Sequence, residues 1–266
     1  MKKLTKAMAL LLIALLAVGM LAACGGGGDS GDSGEEEVVV YIAGTEPTYP
    51  PFDSTTEDGE IIGFDMDLLN AIAEDQGFEV KYQAFEFDAL IPATQAGNCD
   101  IIAAAMNIMP DRAEVVDFSD PYFESGKVIL VKADNDTIKS DSDLTPDMKV
   151  AAQIGTTEGE YVQQLAADGK IKEAVVLNQT TACILQLQNG DVDAVVIDAP
   201  VAMYYDLQNE DIKQIDSVID PAQMAFAVNK GNDELLAKIN AGLAHVKENG
   251  TYDALVEKWF TNGGEE

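Results

Sequence analysis

The sequence predicts an α/β protein of two lobes on mainly parallel sheets. Three observations carry this expectation. Runs of β-branched and aromatic residues alternate with amphipathic helical segments from residue 38 onward. The stretch 38–260 is long for one core. The alternation restarts after Lys127, and βαβ alternation in two halves is the pattern of sheets layered with helices.

The chain before residue 38 has a different character. Lys2, Lys3 and Lys6 precede an unbroken apolar run, 7–20, that ends in small residues as a secretory signal does. The following Leu21-Ala22-Ala23-Cys24 resembles the bacterial lipobox, which implies a signal peptide over 1–23 and lipidation of Cys24 as the mature N-terminus. The alternative is an ordinary signal peptide ending near a cysteine. Residues 25–37, GGGGDSGDSGEEE, have nothing to bury and read as a flexible tether together with Cys24. A coil of that length reaches about 20 Å.

Each later element has its own signal. VVVYIAG (38–44) is a buried-strand run, and FDMDLLNAIAEDQG (64–77) has apolar residues at helical spacing, with Asp65 the expected N-cap and Gly77 beyond the end. FEVKYQAF (78–85) alternates as a strand, FDALIPATQAGNCD (87–100) reads as a helix closing at Gly97, and IIAAAM (101–106) as another buried strand. The second half repeats the theme: strands at VILVKA, MKVAAQIG, AVVLN and DAVVID, helices at TEGEYVQQLAADG and TTACILQLQNG. A strand at 224–231 and helices at 233–250 and 252–260 are too little for a third domain, so they are expected to complete an earlier lobe.

Charge excludes some functions. The chain has 47 acidic residues against 16 basic ones, and loss of Lys2, Lys3 and Lys6 with the leader moves the formal charge from −31 to −34. Nucleic acid is therefore not an expected partner, since a phosphate backbone needs a basic footprint. Cys99 and Cys183 stand 84 positions apart and read as two buried thiols rather than a disulfide framework. The single His245 lies in an amphipathic segment, so neither a zinc site nor a catalytic triad is expected, and no cofactor is.

Six blocks occur in register: GTEPTYPPFDSTTEDGEIIGFDMDLL, FDALIPATQAGNCD, MNIMPDRAEVVDFSDPYF, AAQIGTTEGEYV, DVDAVVIDAP and NGTYDALVEKWF. Together they resemble the polar amino-acid substrate-binding proteins of ABC importers, which include the lysine/arginine/ornithine-, histidine- and glutamine-binding proteins. The resemblance implies a type II periplasmic-binding-protein-like fold, whose discontinuous lobes are joined by two crossing strands with the ligand cleft between them. It puts lobe 1 at 38–125 and 223–262, lobe 2 at 126–222, and the crossings near 124–128 and 220–225. The implied partners are a free amino acid and the transmembrane subunits of an ABC permease. The implied setting is a monomer on the outer face of the cell membrane, anchored through Cys24.

A free amino acid presents a carboxylate and an ammonium, and burying either unpaired is costly. Arg112, the one arginine in the chain, offers a rigid bidentate fork that lysine cannot copy. It follows Pro110-Asp111, an expected first helical turn, and the resemblance makes it the carboxylate ligand. Without the resemblance, a surface arginine paired with Asp111 or Glu114 would be the simpler reading. On the other lobe, Gly155 permits a tight turn, Thr156 or Thr157 can cap the next helix, and Thr157-Glu158-Gly159-Glu160 reads as a capping box. The resemblance adds that Thr157 reaches the same ligand carboxylate. It assigns Asp198, at a strand's C-terminal end, to the α-ammonium, and gives the Ala105 carbonyl and the Asn107 side chain orienting roles. Tyr49 and Phe87 match the aromatics that sandwich the ligand side chain, while Phe52 reads as structural. Glu46 matches an acidic position that faces the side-chain cation in binders of basic amino acids, and Gln153 lines the same region. Met109 departs from the family, where a threonine usually caps the arginine's helix; a lost cap typically costs about 1 kcal/mol.

Two other functions use similar parts. Cyclohexadienyl (arogenate/prephenate) dehydratases resemble the same scaffold, but they need a cleft acid aimed at a leaving hydroxyl. Glu46 and Asp198 both have binding roles here, so catalysis is not expected. A sensor reporting to a membrane receptor would bind the same ligands and differ only in its partner.

Overall fold

A computed structural model describes residues 38–261, and the expected leader, tether and Cys24 lie outside the described residues. Strand β1 (Val39–Thr45) leads through a two-stranded ribbon, β2 (Ser54–Thr55) and β3 (Ile61–Ile62), to helix α1 (Phe64–Gln76). Strand β4 (Phe78–Ala84) follows, then a 3-10 turn at Phe87–Ala89, helix α2 (Leu90–Gln95) and strand β5 (Ile101–Ile102). A four-residue helix, α3 (Pro110–Ala113), precedes β6 (Val116–Phe118) and the long β7 (Phe123–Lys132). The second half runs β8 (Lys149–Gln153), α4 (Thr157–Ala167), β9 (Glu173–Leu177), α5 (Thr180–Asn189), β10 (Ala194–Asp198), α6 (Ala199–Gln208) and β11 (Ile212–Met224). Strand β12 (Ala227–Asn229), α7 (Asp233–Glu248) and α8 (Thr251–Val256) close the chain, with one π turn at Glu257–Thr261.

Two five-stranded sheets form, in the orders β4-β1-β5-β12-β6 and β11-β7-β10-β8-β9. Neither is mainly parallel. In the first, β1 pairs parallel with β4 and β5, but β12 is antiparallel to β5 and β6. In the second, β8 pairs parallel with β9 and β10, whereas β7 is antiparallel to β10 and β11. The reason is the return of the chain: β12 belongs to the first sheet although it follows the whole second half. The β7–β11 ribbon makes the connection, pairing Lys132 with Ile212 inside the second sheet and Phe123 with Met224 at the other end. There Asn107 bridges Met224, and the Met106 carbonyl accepts from the Ala225 N–H at 3.1 Å.

Helices α1 and α7 cover one face of the first sheet. A Cβ on Gly242 would stand 2.8 Å from Ile72, so glycine allows these helices their close approach. Where Phe64 begins α1, it packs edge-on to Phe52, Phe123, Tyr252 and Phe260. Phe52 is fully buried in this aromatic group. Cys99 and Cys183 are buried free thiols.

Several local expectations are corrected. The N-cap of α1 is Gly63, not Asp65; Asp65 lies inside the first turn, fully buried, with its carboxylate turned away from the helix start. Gly63 has φ 151°, and a Cβ there would meet the Phe52 carbonyl oxygen at 2.0 Å. Gly63→Ala is therefore expected to cost about 2–3 kcal/mol through backbone strain and collision, which for a protein of this size is about 5–10 °C in a melt. An unchanged melting temperature would contradict that reading. The cap of α4 is Thr156, whose hydroxyl accepts from the Gly159 N–H at 3.0 Å, so the expected Thr157–Glu160 box does not form. The expected strand 101–106 is regular only at Ile101–Ile102, because the backbone turns into a left-handed conformation at Ala105, φ 45°. The run 224–231 is likewise divided: Met224 ends β11 and only Ala227–Asn229 join the first sheet.

Candidate functional site

The ten positions singled out from the sequence, Glu46, Tyr49, Phe87, Ala105, Asn107, Arg112, Gln153, Thr156, Thr157 and Asp198, all line one cavity. They arrive from both halves: loops around the first sheet, the 3-10 turn at Phe87 and helix α3 supply the first six, and the end of β8, the start of α4 and the end of β10 supply the rest. Asp53, Ala104 and Glu158 line the same space.

Arg112 is 7 % exposed, so it is not the surface arginine that pairing with Asp111 or Glu114 would require. Its guanidinium donates to the Asn107 carbonyl at 2.9 Å and, across the cavity, to the Gly155 carbonyl at 2.9 Å. Its Cζ lies 5.6 Å from the centroid of the Phe87 ring, within cation–π range. No carboxylate of the described residues lies within ion-pair distance of it. Burial pulls its pKa below the ordinary value, opposed mainly by the charge of Glu158. A buried cation with carbonyl partners alone is an unneutralised charge, and an anion brought to it would gain strongly. Met109 caps α3 without a side-chain bond, as its chemistry dictates. The two carbonyls and the Phe87 ring position Arg112 without that cap.

Asp198 is 1 % exposed and accepts two hydroxyl bonds, from Tyr49 across the cavity at 2.8 Å and from Ser125 of β7 at 3.0 Å. Burial, reinforced by the Glu158 charge, pushes its pKa up to about 8, although Tyr49, Ser125 and Lys127 favour the anion. It caps α6 geometrically but makes no side-chain cap bond, so its carboxylate remains free for the cavity. A third contact across the cavity runs from the Asn107 amide to the Thr157 hydroxyl at 3.2 Å. Because side chains bond to one another across it, the enclosed space is only about 10 Å³.

Sequence reasoning missed three supports. The Asp65 carboxylate accepts from the Ala105 N–H at 2.8 Å and from the Tyr122 hydroxyl at 2.7 Å, which holds Ala105 in a conformation that alanine alone disfavours. Ser125 holds the second oxygen of Asp198. Gln153 is fixed at both ends, donating to the Asn178 carbonyl at 2.9 Å and accepting from Thr180 at 3.0 Å. The aspartate inside GFDMDL was a usable signal for the first; the other two depend on contacts between distant segments.

The chain belongs to the bacterial extracellular solute-binding proteins, family 3, whose model matches residues 41–262. It is 34 % identical over 249 residues to a probable histidine-binding protein of Neisseria gonorrhoeae, covering 92 % of each chain. It is 32 % identical over 222 residues to ABC transporter arginine-binding protein 1 of Escherichia coli (strain K12), covering 82 % of this chain and 89 % of that one. A solved structure of an ancestral arginine-binding protein bound to arginine superposes with a TM-score of 0.79 at 42 % identity, over 83 % of this chain and 98 % of that one. The fold is accordingly the two-lobed α/β fold expected from the motifs.

Proposed function

We propose that the protein captures a free L-amino acid outside the cytoplasm and delivers it to an ABC import permease. The observation that carries this is the buried Arg112 guanidinium, without a carboxylate partner among the described residues, facing Asp198 in one cavity. One anion-seeking and one cation-seeking group in a small cleft match the main chain of an amino acid. The ligand carboxylate would sit between Arg112 and the start of α4 at Thr156 and Thr157. Its ammonium would take Asp198 and the Ala105 carbonyl, with Asn107 orienting both groups. Tyr49 and Phe87 would flank the side chain, with Glu46 and Gln153 beyond them favouring a basic or polar one.

The lobes in this reading are 38–125 with 223–262, and 126–222, with the ligand entering as they part. Binding would replace the contacts Tyr49–Asp198, Asn107–Thr157 and Arg112–Gly155 by contacts that each lobe makes to the ligand. A ligand held by both lobes favours the closed state by its differential affinity. The protein acts as a monomer, without cofactor and without catalysis.

A thermal-shift screen of the twenty amino acids with ornithine and citrulline tests this. A ligand at 100 times its dissociation constant stabilises by about 2.7 kcal/mol. Stabilisation by none of them would overturn the proposal.

The lipobox reading completes the proposal: Cys24 carries the lipid, and residues 25–37 tether the body to the membrane. Cys24→Ala is expected to move the protein from the membrane fraction to the soluble one. Unchanged fractionation would contradict the anchor.

A further inference from the structure

Asp53 is fully buried beside the cleft and took no part in the site as read from the sequence. A tight turn fixes it: the Tyr49 and Asp53 backbones exchange hydrogen bonds at 2.9 and 3.2 Å. The Thr45 hydroxyl donates to its Oδ2 at 2.8 Å. Its Oδ1 has no hydrogen-bond partner among the described residues, yet Asp53 lines the same cavity as Glu46 and Tyr49. A buried carboxylate oxygen without a donor is expensive, and the cost falls when a cation supplies one.

The groups around it narrow the choice. Glu46 is 3 % exposed and accepts the Thr48 hydroxyl at 2.7 and 3.0 Å. The nearby Gln153 amide gives one N–H to the Asn178 carbonyl and its oxygen to Thr180, and its second N–H favours the ionised form of Glu46, not Asp53. Asp65, the other charged neighbour, spends one oxygen on Ala105 and Tyr122 and does not line the cavity. Among the described residues no three His, Cys, Asp or Glu side chains are grouped to hold a metal ion. Besides Glu158 and Asp198, the cavity therefore presents Glu46 and Asp53, two carboxylates beside an aromatic wall.

We propose that Asp53 is a specificity-determining carboxylate, acting with Glu46 to select an amino acid whose side chain ends in a guanidinium. This rests on the amino-acid reading of the cleft. A guanidinium carries five donors in a planar fork and lies flat against an aromatic ring, whereas an ammonium is a compact point charge and an imidazolium has two opposed donors. Two separate carboxylate acceptors beside Tyr49 suit the first geometry. Burial, with the charges of Asp65 and Glu46, holds the Asp53 pKa well above the ordinary carboxylate value, and a cation beside it favours the ionised form.

The test compares arginine with citrulline, its neutral isostere, by calorimetry on the wild-type protein and on Asp53→Asn, which can keep the Thr45 bond. Removing one member of a buried charge pair weakens binding by about 30-fold or more. Arginine is expected to lose at least that factor in Asp53→Asn, while citrulline and glutamine change by less than about threefold, since they lack the charge. Retained citrulline binding also shows that the variant is folded. An unchanged arginine-to-citrulline ratio in the variant would overturn the role of Asp53. Wild-type binding of histidine or lysine in preference to arginine would do the same, while leaving the amino-acid reading intact. Binding of no amino acid at all would overturn that reading too.

Discussion

Arg112→Ala is expected to abolish measurable amino-acid binding in practice, weakening it by at least about 100-fold, while the protein stays folded. The size of the effect follows from burial. Arg112 is 7 % exposed and bonded to two carbonyls, neither of which neutralises it, so a ligand carboxylate would supply the missing charge. Removing the guanidinium leaves that carboxylate facing only backbone and hydroxyl donors from the start of α4. The fold should tolerate the change, because α3 is a four-residue helix outside both sheets and contributes nothing else to the core through this side chain. Calorimetry together with a melting curve decides the matter. Near-normal affinity in a folded variant would remove Arg112 from the site.

Asp198→Asn is expected to weaken binding by a similar factor and to flatten its pH dependence. The sign follows from the raised pKa of about 8. Below that value the free site holds a proton on Asp198, and an ammonium ligand needs the anion, so binding must expel the proton. Affinity should therefore rise with pH between 6 and 8, approaching tenfold per unit, and level off above. Glutamine or citrulline is the ligand to use, so that Glu46 and Asp53 have no side-chain charge to answer. In Asp198→Asn the slope should vanish along with the affinity. A slope that survives would assign the titration to another group.

Much of the fold was readable because hydrophobic period is a local property. The helices at 64–76, 157–167 and 180–189 and the strands at 149–153 and 194–198 follow directly from their spacing. Strand direction was not readable in the same way. That β12 enters the first sheet antiparallel depends on the β7–β11 ribbon carrying the chain back, a long-range event without a local mark. The site shows the same division. Arg112 and Asp198 stood out by residue type and motif register, whereas Asp65 was misread as an N-cap because an aspartate one residue into a helix resembles one. Its actual partners, Ala105 and Tyr122, are 40 and 57 positions away. Thr156 rather than Thr157 caps α4 because the β-region backbone falls at Thr156, leaving the Thr157 hydroxyl free to accept from Asn107. Asp53 was passed over since an aspartate in a proline-rich turn is ordinarily a solvated turn residue. Only its burial against Thr45 marks it.

The central claim is that the cleft recognises the main-chain charges of an amino acid. The most direct measurement titrates the protein with the amino acid that stabilises it most and, in parallel, with the amine left when that ligand's carboxylate is removed. Both molecules carry the same side chain and the same ammonium. The account predicts one amino acid bound per chain and an amine bound at least about 100-fold more weakly, matching the loss in Arg112→Ala. Comparable affinity for the two would contradict it, since Arg112 would then have no anion to meet.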